Sequence, residues 1–294
     1  MLIMNTRHSF RPIQILDTDV ICECKTSILG IDSNISFHNH DGYEIFLFLD
    51  GKANYFTEQQ GLSLRRGDLI LTPPYLFHCS QLSKPQPYKR AILNIRTAYL
   101  LELCTAKSNL LRCFDSKDKM PNLLCLNENE TQNLEKKFLE LQMLLISHQW
   151  GDDILAKACL CELLVMINRY TLHSNVQESK KNMPHFLSDV LSYIDAHLSE
   201  ELSLQTLSES VNLNKDYLNR RFKQLTGTTL NQYIIAKRTT LAQKYLREGH
   251  SPEESCYLSG FQNYSHFSRT FLKQTGSSPR QYQQKFLAES IQVR

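Results

Sequence analysis

Residues 217–233 read YLNRRFKQLTGTTLNQY, and residues 266–282 read HFSRTFLKQTGSSPRQY. The second string repeats the first 49 positions later. Arg220 corresponds to Arg269, Phe222 to Phe271, Thr226-Gly227 to Thr275-Gly276, and Gln232-Tyr233 to Gln281-Tyr282. Leu218 and Phe267 are both apolar; Asn219 and Ser268 are both polar. Upstream the offset becomes 48, aligning Ser203 with Ser251, Ser208 with Cys256, Asn212 with Gly260 and Leu213 with Phe261.

Each copy has the same physical order. A short helix capped by Ser203 or Ser251 comes first and carries a small residue in its middle. In the second copy, Ser251-Pro252-Glu253-Glu254 joins a cap, a proline at the first helical position and a capping-box glutamate. A turn follows at Asn212 or Gly260, residue types that accept a left-handed backbone. A second helix, capped by Asn214 or Asn263, runs to a Thr-Gly stop. The small residue lets the two helices cross closely. This is the logic of a helix-turn-helix unit, whose second helix enters the DNA major groove. A helix expected from about Leu230 to Glu248 joins the copies. It spans roughly 28 Å at about 1.5 Å per residue, close to one DNA turn of about 34–36 Å. Two recognition helices on one face of the DNA follow from that spacing.

The charge pattern fits this reading. The net charge is only +3, but residues 181–294 carry 14 Lys+Arg against 10 Asp+Glu. Between Lys215 and Arg247 there are eight basic residues and one acid, Asp216. Basic stripes of this kind face either phosphates or solvent, and charge alone leaves both open.

Residues 185–285 resemble the AraC/XylS family of transcription regulators. The string Gly260-Phe261…His266-Phe267-Ser268-Arg269…Phe271…Gly276…Pro279…Tyr282 looks like that family's C-terminal signature. Three positions depart from it. Ser255 and Pro252 stand where the family has apolar residues, and Asp216 opens the first recognition helix. The expected DNA-binding residues are Lys215, Asp216, Asn219, Arg220 and Lys223 on the first recognition helix. On the second they are Tyr264, Ser265, Ser268, Arg269 and Lys273. Arg suits guanine O6/N7, Asn suits adenine, and Lys suits phosphates. Lys237, Arg238 and Lys244 on the joining helix are further phosphate candidates.

Toward the N-terminus the pattern changes to short strands. Ser36–His40, Tyr43–Leu49, Leu69-Ile70-Leu71 and Arg90–Ile95 are apolar or alternating runs. Asp50-Gly51 is a hairpin turn signal, and Gln60-Gly61 and Arg66-Gly67-Asp68 mark further turns. Strands at this spacing suggest a sandwich or barrel over residues 1–97. Residues 98–172 read as helical. Leu134, Phe138, Leu141 and Leu145 form one stripe that packs on the barrel or on a second subunit. Ile154–Tyr170 is apolar nearly all round, so burial is expected, with Gly151-Asp152 turning between the helices. Residues 173–184 read as a linker ending at Pro184.

His38-x-His40-x3-Glu44 with Gly51, and Gly67-Asp68-x4-Pro73-x4-His78, resemble the two motifs of the cupin family over residues 35–80. His38 and His40 share a strand face, and Glu44 has the same parity. Three imidazoles and a carboxylate can hold iron, manganese, nickel or zinc. The resemblance to AraC-type barrels implies instead an effector pocket without metal. The expected effector-binding residues are His38, His40, Tyr43, Glu44, Tyr75 and His78, with Phe77 as a further apolar wall and no metal or other cofactor assigned. An organic effector, a bound metal and an unliganded barrel all remain open on the residues alone.

Other classes find little support. No apolar run is long enough to span a bilayer, and the N-terminus lacks a secretion-signal pattern. Nine scattered cysteines form no framework, which suggests reducing cytoplasm and buried packing roles. No glycine-rich phosphate loop or nucleophile elbow is present. The expected architecture is α+β and multidomain. A cupin-like β domain (1–97) with a helical dimerisation segment (98–172) and a linker (173–184) precedes an all-α tandem helix-turn-helix domain (185–287). The expected function is a cytoplasmic, small-molecule-responsive transcription activator, not an enzyme. Its expected partners are double-stranded DNA, a sugar or related effector, a second copy of itself and RNA polymerase, with no membrane. Two rivals stand beside it: a metal-dependent cupin enzyme joined to a DNA-binding domain, and a ligand-independent DNA binder.

Overall fold

A computed structural model describes residues 13–16, 18–27, 36–82, 86–115, 121–173 and 183–292. Residues 174–182 of the expected linker lie outside the described residues. The chain divides into two compact units. One is Ile15–Ser192 with Leu225–Gly227; the other is Met1–Gln14 with Tyr193–Gln224 and Thr228–Arg294.

The described strands are β1 (Ile13–Gln14), β2 (Val20–Ser27), β3 (Asn39–His40), β4 (Gly42–Asp50), β5 (Ala53–Thr57), β6 (Gly61–Ser63), β7 (Asp68–Thr72), β8 (His78–Leu82), β9 (Tyr88–Arg96) and β10 (Asn122–Cys125). In the Ile15–Ser192 unit an antiparallel sheet runs β10-β7-β4-β9-β2, and a second runs β6-β5-β8. The five-stranded sheet is covered on both faces. Its odd-numbered residues Ile45, Leu47, Leu49, Leu69, Leu71, Ala91, Leu93 and Ile95 share a core with the helices. Its even-numbered residues Phe46, Phe48, Ile70 and Ile92 meet Ala53, Tyr55, Leu62 and Leu64 of the smaller sheet's side. Burial on both faces explains the unbroken apolar run of β4, since a sheet with one wet face would alternate.

Three helices complete this unit: α1 (Thr97–Glu102), α2 (Glu128–Ile146) and α3 (Asp152–His173). Asn127 and Glu130 form a capping box that starts α2. Gly151 takes φ +87° in the turn before α3. Leu134, Phe138 and Leu141 are buried in the core shared with the chain's own sheet, so this part of the stripe is intramolecular, while its fourth member, Leu145, is exposed. The face exposed instead carries Leu139, Met143, Ile146, Trp150, Ile154 and Leu155. All-round burial of Ile154–Tyr170 does not hold: Ala156, Cys159, Leu160, Leu163, Leu164 and Ile167 form one buried stripe, while Ile154, Leu155, Lys157, Ala158, Glu162 and Arg169 are exposed.

Two further expectations need correction. Residues 98–172 are not wholly helical: β10 pairs with β7, and a 3-10 turn spans Leu110–Phe114. Asp50-Gly51 does not close a hairpin. β4 pairs with β7 and β9 while β5 pairs with β6 and β8, so this turn carries the chain from one sheet to the other. Gln60-Gly61 does end a hairpin turn, with Thr57 N–H donating to the Gln60 carbonyl.

The remaining helices are α4 (His185–Ala196), α5 (Leu204–Ser210), α6 (Lys215–Thr226), α7 (Leu230–Arg247), α8 (Pro252–Leu258), α9 (Tyr264–Thr275) and α10 (Pro279–Gln292). The repeat is realised element for element. Ser203, Ser251 and Asn263 cap α5, α8 and α9, and Asn214 Oδ1 accepts from the first amides of α6. Asn212 and Gly260 hold left-handed turns at φ +53° and +91°. The small residues Ser208 and Cys256 are buried where each pair of helices crosses. Ala242, Leu246, Cys256, Phe261, Phe267 and Phe271 form the second copy's core, joined by Tyr282. Ser255, in the place of an apolar residue, is fully buried with its hydroxyl lacking a protein partner.

Gly260 answers two demands at once. Its φ is left-handed, and a Cβ there would collide with the Leu198 carbonyl oxygen and lie 2.9 Å from Arg238 Nε. Gly260→Ala is therefore expected to destabilise this unit by at least about 1–2 kcal/mol. Denaturant unfolding followed by circular dichroism checks this, and an unchanged midpoint counts against it.

Candidate functional site

The α6 and α9 helices each bury one stripe and expose the other. Leu218 and Phe222 are fully buried on α6, as are Phe267 and Phe271 on α9. With about 3.6 residues per turn, positions 216, 220 and 223 fall opposite the α6 core, and positions 265, 269 and 273 bear the same relation on α9. Lys215, Asp216, Arg220, Lys223, Tyr264, Ser265, Arg269 and Lys273 are all exposed, and Ser268 is half-buried. The Arg220 guanidinium lies 5.7 Å from the Tyr217 ring centroid, and Arg269 Nε donates to the Ser265 carbonyl at 3.2 Å. Among the described residues, neither arginine pairs with a carboxylate.

Asn219 is placed differently from the expectation. Its Oδ1 accepts from Leu230 N–H at 3.2 Å, so it helps to cap α7. Bidentate recognition of adenine needs that same oxygen. Lys237 and Arg238 are also committed within the unit. Lys237 pairs with Asp195. Arg238 donates to the carbonyls of Leu198 (3.0 Å) and Glu200 (2.6 Å). Burial lowers the pKa of Arg238. Lys244 stays exposed, 3.8 Å from Glu248.

In the first unit, β3, the start of β4 and the start of β8 bring His38, His40, Glu44 and His78 together, as the cupin resemblance implies. His38 and His78 exchange backbone hydrogen bonds of 2.9 and 3.0 Å, which sets their rings side by side. The ring centroids lie 4.5 Å (His38–His78), 5.1 Å (His40–His78) and 6.0 Å (His38–His40) apart. Glu44 sits between, with Oε2 3.3 Å from His40 Nε2 and Oε1 3.3 Å from His78 Nε2. All four side chains are buried. Burial, with the His78 and His40 rings beside it, pushes His38 down to about 3. Burial alone would raise the Glu44 carboxyl, but the neighbouring histidines hold it well below the usual carboxylate range. Burial opposes charge on His78 too, yet Glu44 raises its pKa.

Two of the expected effector residues are not part of this cluster in the same way. Tyr43 points to the opposite face of the sheet, where its ring packs 4.5 Å from Phe114 among the helix-side core. Tyr75 is half-buried and holds φ +67°, and its N–H donates to the His40 carbonyl at 2.8 Å. Phe77 packs on Phe37 at 6.0 Å. The aromatic residue that does meet the cluster is Tyr55. Its ring stacks on His78 at 5.7 Å, and its hydroxyl lies 3.0 Å from Thr72 Oγ1 and donates to Glu44 Oε1 at 3.4 Å.

A second polar group lies along the same face of β9, where Tyr88, Arg90, Ile92 and Asn94 alternate with the helix-side core. Arg90 is 4% exposed, and among the described residues its carboxylate contact is Nη2 to Glu23 at 3.4 Å. Among the described residues, its Nε and Nη1 and Asn94 Oδ1 have no hydrogen-bond partner, and the Tyr88 and Ser80 hydroxyls lie beside each other. Native interiors leave few such groups unpaired without water or ligand.

Residues 30–164 match the family described as the AraC-like ligand binding domain, and residues 207–285 match the one described as a helix-turn-helix domain. The chain is 32% identical over 124 residues to the HTH-type transcriptional activator RhaS of Salmonella schwarzengrund (strain CVM19633), covering 42% of this chain and 43% of that protein. It is 29% identical over 150 residues to the RhaS of Salmonella agona (strain SL483), covering 49% and 52%. The matched stretch thus spans about half the length of these curated relatives. Among solved structures, fatty acid-bound ToxT from Vibrio cholerae strain SCE256 is 14% identical, with TM-score 0.39 over 91% of this chain and 95% of that one. The DNA-binding domain of AdpA in complex with a target DNA is 29% identical, with TM-score 0.34 over 35% of this chain and 93% of that one. No helix among the described residues is long and apolar enough to cross a membrane.

Proposed function

Since the chain belongs to the AraC family of DNA-binding transcription regulators, with a ligand-binding domain ahead of its helix-turn-helix domain, we propose that it is a small-molecule-responsive activator that grips DNA at two successive major grooves. The two-headed reading is supported by the capped repeat and by α7, whose 18 residues span roughly 27 Å. Lys215, Asp216, Arg220 and Lys223 serve the first groove. Tyr264, Ser265, Ser268, Arg269 and Lys273 serve the second. Arg220 and Arg269 read bases, and the lysines hold phosphates. The curated relatives are named as activators, which favours activation, with RNA polymerase as the partner so recruited.

The observation that carries the ligand reading is the unpaired, buried Nε and Nη1 of Arg90, with Asn94 Oδ1 on the same face of β9. An oxygen-rich small molecule, a sugar or related metabolite, satisfies such donors and leaves Phe46, Phe48 and Tyr55 as apolar walls. The His38, His40, Glu44 and His78 group and Tyr75 border the same domain's polar end. To act as a switch, the ligand must bind one arrangement of the regulator more tightly than the other. A homodimer is the assembly proposed, through the exposed face Leu139–Met143–Ile146–Trp150 of α2 and its turn, rather than the buried stripe beneath it.

Four measurements test this reading. Selection from a random DNA pool is expected to yield two short elements about one helical turn apart. On that site Arg220→Ala is expected to cost about 1–3 kcal/mol and to relax preference at one base pair. Equal losses on every sequence would assign Arg220 to phosphate alone. A thermal-shift panel of sugars and sugar acids is expected to contain a stabilising compound, whose effect Arg90→Met abolishes. A panel with no stabilising member would favour a ligand-independent DNA binder. Ile146→Glu places a charge in the exposed apolar face and is expected to turn a dimer into a monomer by analytical ultracentrifugation. A dimer that persists unchanged would place the interface elsewhere.

A further inference from the structure

Each histidine of the buried cluster has its Nδ1 against a backbone carbonyl. His38 Nδ1 lies 2.8 Å from Ser36 O, His40 Nδ1 2.8 Å from Gly42 O, and His78 Nδ1 2.9 Å from Leu76 O. A carbonyl oxygen only accepts, so each Nδ1 must carry the hydrogen. In a neutral ring the other nitrogen, Nε2, then presents a lone pair. Among the described residues, His40 Nε2 and His78 Nε2 make no hydrogen bond of ordinary geometry, yet both face Glu44 carboxylate oxygens at 3.3 Å. Acceptors therefore converge on acceptors in a buried site, a repulsive arrangement that either a proton or a metal cation among them relieves. Backbone carbonyls that fix the far nitrogen are also the outer-shell partners that orient metal-binding imidazoles.

We propose that His38, His40, Glu44 and His78 bind one divalent first-row transition-metal ion. The ligand atoms of these four residues all lie within 4.8 Å of one another. An ion with bonds of about 2.1 Å sets its ligand atoms about 3–4.2 Å apart, so inward ring movements of about an ångström close the site. Three imidazoles with one carboxylate suit iron(II), manganese(II), nickel(II) or zinc(II). They do not suit calcium or magnesium, which take oxygen ligands, or copper(I), which takes thiolates. Tyr55 is the positioning residue: its hydroxyl ties Glu44 to Thr72 and its ring backs His78.

The ion joins the two sheets. Glu44 belongs to β4 of the five-stranded sheet and His78 to β8 of the three-stranded one. Its occupancy is therefore felt as stability of the whole ligand-binding domain, apart from any effector. The inference stands on ligand geometry and does not rest on the regulatory reading, so either can fail alone.

The test uses the full chain without a histidine tag, stripped with chelator and equilibrated in turn with Mn2+, Fe2+, Ni2+ and Zn2+. Elemental analysis after gel filtration is expected to find close to one equivalent of at least one ion. Thermal stability is expected to rise by about 5–10 °C at a hundredfold excess over Kd. Glu44→Gln keeps the side chain's shape, and both it and His78→Ala are expected to weaken binding by at least about tenfold. Circular dichroism checks their folds. If His78→Ala fails to fold, Glu44→Gln decides. His197→Ala, in the other unit, serves as a control and should bind as the parent does. Less than about a tenth of an equivalent of every ion with an unmoved melting temperature overturns the proposal. So does a full equivalent retained at undiminished affinity in the folded ligand variants.

Discussion

Successive side chains of a strand point to opposite faces, and in this chain that alternation separates two different interiors. Along β4, Ile45, Leu47 and Leu49 enter the core shared with α2 and α3, while Glu44, Phe46 and Phe48 enter the space under the smaller sheet. Along β9, Ala91, Leu93 and Ile95 make the same division from Tyr88, Arg90, Ile92 and Asn94. A one-residue slip would exchange the two sets, placing Arg90 and Glu44 against the helices. The helix-side face is apolar apart from Lys89, which pairs with Glu135 of α2, and it fixes the register. The other face can then carry polar groups without losing its place in the fold.

The second unit rests on a different device, local termination repeated twice. Serine and asparagine caps start the helices, and a left-handed turn separates each short helix from the long one after it. Because both copies hang from α7, the separation of α6 and α9 is set by the number of residues in that helix. The ion pair of Lys237 with Asp195 and the carbonyl contacts of Arg238 brace α7 against the end of α4. Basic residues on the joining helix thus divide into internal struts and the exposed Lys244. Charge counting along the sequence does not separate these roles.

Much of the second unit was legible because its signals are local. Ser203, Ser251 and Asn263 cap where their spacing places them, and Gly260 turns as its residue type predicts. Asn219 was ambiguous, since an amide serves equally as a base reader or a cap; its role depends on the approach of Leu230. In the first unit, the shared parity of His38, His40 and Glu44 was readable. The same rule sends Tyr43 to the other face, a signal present in the sequence but set aside in grouping the aromatics. Asp50-Gly51 specified a turn but not which sheet the next strand would join. The four-residue β10 has no period long enough to distinguish a strand from part of a helix. The burial of Arg90 has no local signal, because an arginine in a strand ordinarily reads as surface. The histidine cluster was visible as four residues; the direction of each Nδ1 was not, because it depends on backbone carbonyls two residues away.

Trp150 is the chain's only tryptophan and is 99% exposed, in the turn between α2 and α3. The protein's indole emission therefore comes from one spot on the first unit, at the tip of its helical hairpin. It should be red-shifted in an isolated subunit and shift to the blue when that tip is covered. The second unit has tyrosines and phenylalanines but no indole, so its unfolding leaves little direct trace in this signal. A spectroscopist watching the native chain would see events at one surface separately from the integrity of the DNA-binding helices, without adding a label.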